Sequence, residues 1–182
     1  REESGRIAEV GNWALVRAAQ DYMAWRAAGL AAPRIAVNIS PAQLRHREFI
    51  DYVMRALDVF EDSCPLDLEI TESMLIDQYQ ETVKRLNVLR GLGVEVALDD
   101  FGTGYSSLAH VARLPINAIK VDRSFVNEML HDSYCRNLVT MMIALAHTLG
   151  LEVIAEGVED TAQADLLREL ECDALQGYLF SR

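Results

Sequence analysis

Positive charge is what this 182-residue chain is shortest of: 17 Lys and Arg stand against 28 Asp and Glu, a formal net charge of -11. A polymer of phosphates needs clustered cations along one face, so DNA and RNA polymers are excluded as partners, and a small anionic ligand needs local cationic help. Cysteine is also scarce. Cys64, Cys135 and Cys172 are odd in number and have no CxxC spacing, which argues against a disulfide framework and for free thiols in a reducing compartment. No run approaches the roughly 20 apolar residues that a membrane-spanning helix needs, and the N-terminal stretch lacks a basic segment followed by an apolar one. The expected location is cytoplasmic, including the cytoplasmic part of a membrane-anchored parent. His46, His110, His131 and His147 all fall on expected helices or helix ends, which disfavours zinc and favours an all-oxygen Mg²⁺ or Mn²⁺ site.

What is present is 51% hydrophobic and 25% charged, enough apolar surface for one soluble domain spanning residues 1–182 without a linker. Six short apolar runs end in polar groups: IAVNIS, LDLEITE, VEVALDDF, AIKVD, LEVIAEGVE and DALQGYLF. Between them lie helical patterns. Ile7, Val10, Leu15, Ala18 and Tyr22 mark a first helix closed by Gly29; Ser40 and Pro41 open a second, running through Leu44, Phe49, Val53 and Leu57. Residues 76–90 form a third, with Val83, Leu86 and Leu89 on one stripe and glycines 91 and 93 as its stop. A short helix covers Leu108 to Arg113. Asp132 or Ser133 caps a long one carrying Leu138, Met141, Met142 and Leu145, and a last helix covers Ala162 to Leu170.

Strands alternating with helices indicate βα units and a parallel sheet, so the expected fold class is α/β, a TIM-like (β/α) barrel. Six strands are too few to close eight, and the chain opens on a helix. The expectation is an incomplete barrel, with roughly two strands lying before Arg1 in the parent or supplied by a partner.

Alternate strand residues point to opposite sides, so Asn38 with Ser40, Glu69 with Thr71, and Lys120 with Asp122 each share a face. Asp99 and Asp100 would diverge in a regular strand and serve one site only where the strand ends and turns, which the Gly/Ser-rich loop from Phe101 to Ser107 provides. Adjacent carboxylates suit a divalent cation, or Asp99 or Asp100 is a turn residue and Ser106 or Ser107 a helix cap. An inward Glu69 is a metal ligand or a salt-bridged barrel residue. Asn38 is a neutral oxygen donor to a metal or a hydrogen-bonding residue. Lys120 and Asp122 form an ion pair, or divide between a water or phosphate and a metal. Glu156 precedes Gly157, whose turn lets its carboxylate reach a site water, whereas Glu159 helps start the next helix. Gln176 before Gly177 has the chemistry to hydrogen-bond a base, ribose or phosphate.

In order along the chain, VNIS, LEITES, DDFGTGYSS, LPINAIKVDRSF, AEGVE and QGYLFSR resemble the EAL-domain family of bacterial cyclic di-GMP phosphodiesterases. The resemblance implies a modified TIM barrel with one reversed strand, two divalent ions at its mouth, and a single phosphodiester cut yielding pGpG. By resemblance, Asn38, Glu69 and Asp99 are ligands of the first ion, Asp99 bridges to a second held by Asp100, and Asp122 supports the centre. Lys120 meets the nucleophilic water, and Glu156 lies near the second ion and that water, in the place of a base. Glu72 steadies the DDFGTGYSS loop, which leads to a homodimer contact, and Gln176 sits at the mouth. The Glu-Ala-Leu tripeptide and its neighbouring Arg, which the family places upstream, are expected before Arg1, as are sensory or cyclase domains. The alternative within the resemblance is a catalytically inactive cyclic di-GMP receptor. Read without it, carboxylates and Lys at strand ends also suit proton abstraction beside a metal-stabilised enolate.

Overall fold

A computed structural model describes residues 2–60, 64–75, 79–104 and 108–181, with side-chain surroundings beginning at Glu9. The side chain of Ile7, the start of the third expected helix at Ile76, and Tyr105, Ser106 and Ser107 lie outside the described residues. Two compact units divide the chain: Arg1–Ile70 with Asp77–Val96, and Thr71–Ile76 with Ala97–Arg182. Six strands alternate with helices, and the fold class is α/β, as expected.

In the first unit, α1 (Glu2–Ala27) buries Leu15, Ala19 and Tyr22, while Val10 stays on the exposed side. Strands β1 (Ile35–Asn38) and β2 (Leu66–Thr71) pair in parallel, with Val37 opposite Leu68 and Asn38 opposite Glu69. The single helix expected from Pro41 to Leu57 is instead two, α2 (Pro41–Arg45) and α3 (Phe49–Leu57). The break has a cause. Arg85, on α4 (Tyr79–Gly91), donates from Nη1 to the carbonyls of Leu44 at 2.7 Å and His46 at 2.6 Å, so a distant cation satisfies the carbonyl groups that another helical turn would have used. At its other end α2 begins as expected: Ser40 and Gln43 form a reciprocal capping box with Pro41 in the first turn. The core joins Phe49, Val53 and Ala56 of α3 to Leu86 and Leu89 of α4, and Tyr22 meets Phe60 edge to face at 5.6 Å.

The second unit carries the carboxyl end of β3 (Glu95–Phe101), then β4 (Ala118–Val121), β5 (Glu152–Ala155) and β6 (Ala174–Leu175), paired in chain order and all parallel. Every residue of β4 is buried, the pattern of a parallel strand covered on both faces. Helices α5 (Leu108–Val111), α6 (Arg123–Glu128), α7 (Ser133–Thr148) and α8 (Thr161–Glu169) connect them. Asp132 caps α7 by accepting from Tyr134 N–H, and Gly150 leaves it at φ +72. The stripe α7 buries is Val139, Ile143 and Ala146. Leu138, Met142 and Leu145 are half-buried and Met141 is 67% exposed; with Phe101, Gly102 and Gly104 they line an apolar groove. Among the described residues, no helix is long and apolar enough to cross a membrane.

Candidate functional site

The second unit's site begins with an irregularity in β3. Leu98 pairs with Ile119 and Phe101 with Val121, so two residues of β3, Asp99 and Asp100, stand opposite the single residue Lys120 of β4. Such a bulge breaks the alternation that would have sent the two carboxylates apart. Asp100 accomplishes it with φ +55, a left-handed conformation that Asp tolerates better than most residues, and its N–H donates to Asp99 Oδ1 at 3.0 Å. The expected convergence therefore occurs, two residues before the first glycine, Gly102.

β5 supplies the opposing wall. Its ladder places Lys120 against Ile154 and Val121 against Ala155, and Glu156 N–H continues it by donating to Val121 O at 3.1 Å. One carboxylate oxygen from each of Asp99, Asp100 and Glu156 lies within 4.8 Å of the others. Lys120, only 3% exposed, reaches into this group: its Nζ is 2.5 Å from Glu156 Oε1 and 3.5 Å from Asp99 Oδ1. One ammonium among three carboxylates leaves excess negative charge in a half-buried site. The stress shows on Asp100, where burial, then the charges of Asp99 and Asp122, push the carboxyl above its usual range despite Lys120 and Arg123. Three crowded oxygens carrying uncompensated charge fit a hard divalent cation.

Asp122 caps α6, accepting from Ser124 N–H at 3.0 Å and from Ser124 Oγ. That cap organises the chain immediately after Lys120, and the sequence Asp-Arg-Ser was its legible signal. Glu72, almost fully buried in the short 3₁₀ turn Glu72–Leu75 after β2, accepts through Oε2 from the N–H groups of Gly102 and Gly104, both at 3.2 Å. A β-carbon on residue 104 would lie 2.8 Å from that carboxyl carbon, so a larger residue there would displace the Glu72 carboxylate. Glu72 thus anchors the segment that leaves Asp100.

Gln176 N–H donates to Ala155 O at 2.8 Å, and its carbonyl accepts from Val158 N–H at 3.0 Å, fixing it beside the β5 exit. It lines a cleft with Glu156, Gly157 and three groups that sequence reading passed over or assigned elsewhere: Arg123, Glu159 and Tyr178. No periodic pattern marks them. The start of α8 is capped by Asp160, one residue beyond Glu159, in a reciprocal box with buried Gln163; the Asp-x-x-Gln spacing was readable.

In the first unit, the structure brings Asn38 and Glu69 together as register partners at the ends of β1 and β2, with Ile39 N–H donating to Glu69 O at 2.9 Å. Asn38 is exposed, whereas Glu69 is 9% exposed between Leu68 and Ile70.

The chain as a whole is similar to known proteins. Residues 1–182 match the family described as EAL domain. The bifunctional diguanylate cyclase/cyclic di-GMP phosphodiesterase MucR of Pseudomonas aeruginosa is 42% identical over 183 residues, covering 100% of this chain and 27% of that protein. The cyclic di-GMP phosphodiesterase NbdA of the same organism is also 42% identical, over 100% of this chain and 23% of its own length. The chain thus spans about a quarter of these relatives. A solved PaMucR phosphodiesterase in complex with c-di-GMP superposes with a TM-score of 0.93 at 41% identity, over 100% of this chain and 74% of that one. This chain belongs to the EAL domain family.

Proposed function

We propose that this chain provides the metal-dependent hydrolysis of cyclic di-GMP to linear pGpG in a larger bacterial signalling protein. The observation that carries the proposal is the gathering of Asp99, Asp100 and Glu156 around the buried Lys120 ammonium. Asp99, Asp100 and Glu156 hold divalent ions, two of Mg²⁺ or Mn²⁺ by resemblance; Asp122 supports them, and Asn38 and Glu69 enter from the sequence resemblance alone as further oxygen ligands. Bound ions supply Lewis-acid polarisation of the phosphate and acidify a site water.

The protein's own groups do the rest. Lys120 orients the attacking water by hydrogen bonding and offsets charge gathering on the phosphate oxygens. Glu156, in contact with Lys120, accepts the water's proton. Asp122, through the α6 cap, holds the backbone after Lys120, and Glu72 holds the backbone after Asp100. Gln176 binds the substrate at the mouth. A homodimer belongs to the same reading: the apolar groove formed by Phe101, Gly102 and α7 directly adjoins the Glu72-anchored segment, and a second copy covers it.

The test is turnover of cyclic di-GMP by the full-length protein and its Asp99→Ala variant in Mg²⁺ or Mn²⁺. Loss of pGpG formation by at least about a hundredfold is expected. Near-normal cleavage by the variant rejects the assignment, and tight binding without turnover by the wild type reassigns the chain to a receptor.

A further inference from the structure

Gln163 is 5% exposed, and its side chain does more than close the start of α8. Its Oε1 accepts from the N–H groups of Glu159 at 2.7 Å and Asp160 at 3.2 Å, the second bond completing the capping box. These bonds hold the end of the loop that leads from Glu156 to α8. The amino end of the same amide points elsewhere: Nε2 donates to Val126 O at 3.5 Å and to Asn127 Oδ1 at 3.4 Å, both on α6 and 37 and 36 residues away in sequence. Val126 is fully buried, and its carbonyl is one of the last four of α6, the groups that a helix leaves for partners outside it.

The residue type separates the two duties. Glutamate at this position of a capping box accepts from the cap N–H as well as glutamine does. It has no donor, however, and would set a buried carboxylate against the Val126 carbonyl. The contacts with α6 are what call for an amide. Both ends of the link lead to the candidate site: α6 is capped by Asp122, two residues after Lys120, and the loop starts at Glu156, whose Oε1 is 2.5 Å from Lys120 Nζ. Glu156 N–H is tied to Val121 O and Val158 N–H to Gln176 O, so β4 and the β6 exit hold the first half of the loop. Gln163 holds the second half and joins it to α6.

Resting on the phosphodiesterase reading, we propose that Gln163 is a positioning residue for the hydrolysis: it fixes the Glu156 loop to α6 and so keeps Glu156 at Lys120. The role is geometric. A proton acceptor works only within hydrogen-bond reach of the water it serves, and a displacement of about 1 Å costs on the order of a hundredfold in rate. Breaking the link to α6 therefore acts on turnover and leaves the binding of cyclic di-GMP in place.

The test uses the full-length protein, with kcat and KM for cyclic di-GMP in Mg²⁺ or Mn²⁺, calorimetric binding of cyclic di-GMP in chelator, and chemical denaturation. Gln163→Glu, which keeps the acceptor and loses the donor, is expected to lower kcat about tenfold, with KM and affinity within about twofold of the wild type. Gln163→Met loses both functions and should fall at least as far. Asn127→Ala removes one of the two α6 acceptors and should lower kcat about two- to threefold; added to Gln163→Met it should cost nothing further, because the link is already broken. Asp160→Ala controls for stability alone. It removes the carboxylate that accepts from Gln163 N–H but leaves the Gln163 amide in place, so it should destabilise the protein while kcat stays within about twofold. Wild-type kcat in Gln163→Glu overturns the proposal, and so does an equal kcat loss in Asp160→Ala, which would assign the effect to the stability of α8. A parallel fall in affinity also overturns it, by placing Gln163 in substrate binding. If neither Gln163 variant folds, Asn127→Ala decides, with unchanged kcat as the refuting result. A wild type that binds cyclic di-GMP without cleaving it overturns the phosphodiesterase reading and this proposal together, whereas an active wild type with active Gln163 variants overturns this proposal alone.

Discussion

The two ends of the second unit's strands solve opposite problems. At the amino end of β5, polar groups are paired off: Asp173 accepts from Val153 N–H at 2.8 Å and meets His147 Nε2 at 2.9 Å. Cys172 beside them donates to Val153 O, and burial pushes its thiol up to about 11, so it stays protonated and inert at neutral pH. At the carboxyl end, Asp99, Asp100 and Glu156 crowd one ammonium, and Asp100 is bent into a left-handed conformation. Satisfied groups serve stability, whereas an unsatisfied cluster stores repulsion that a ligand relieves.

The largest effect should follow from removing Lys120, the buried cation in contact with Asp99 and Glu156. Lys120→Met leaves half-buried acids without the ammonium that contacts them; breaking a fully buried pair costs about 3–5 kcal/mol, and a loss toward the lower end of that range is expected here. Chemical denaturation should show that loss together with abolished turnover. A small stability change would mean that the carboxylates are already neutral or well hydrated, and the contrast between the two ends would weaken.

Asp100→Asn tests the same contrast with the opposite sign. It should abolish metal-dependent turnover yet raise the melting temperature of the metal-free protein, on the order of 2 °C, because one crowded charge is gone and Asn tolerates the left-handed backbone. Metal should then stabilise the wild type more than the variant. A variant less stable than the wild type in chelator would show that Asp100 is structurally satisfied.

Glu72→Ala should be intermediate. It strands the N–H groups of Gly102 and Gly104, at a cost of about 2 kcal/mol, and loosens the exit from Asp100. Stability and kcat should fall while cyclic di-GMP affinity, measured in chelator, is retained. Loss of affinity instead would tie this segment to substrate binding.

How much of this was legible depends on the range of the interaction. The strand cores and the meeting of Asp99 with Asp100 could be read locally, since an apolar run ended in two acids followed by Gly-x-Gly. The break after α2 could not, because Arg85 lies 41 residues from the Leu44 carbonyl it caps. For α7, Leu138-Met142-Leu145 and Val139-Ile143-Ala146 share the same helical spacing, and only packing decides that the second faces the core. Asp122 was assigned to a strand-end cluster, and its role as the cap of α6 was overlooked although Ser124 stood two residues away. Arg123 and Tyr178 are single residues whose proximity depends on the turns at Gly157 and Gly177, and no spacing rule joins them.

The smallest expected effect lies at the amino end. Burial alone would raise the Asp173 carboxyl, but hydrogen bonds from His147 and Val153 N–H outweigh it and hold the group below the usual carboxylate range. A folded-state value below the unfolded one near 3.9 means that the folded chain gives up this proton more readily. Its contribution to stability is therefore present above that unfolded value and is lost as pH falls through the lower folded one. Because both side chains are more than a third exposed, Asp173→Asn should cost under about 1 kcal/mol at pH 7. That difference should shrink toward zero in denaturation midpoints measured near pH 3, with turnover at neutral pH unchanged. A pH-independent cost would assign the stabilisation to the Val153 hydrogen bond rather than to the charge.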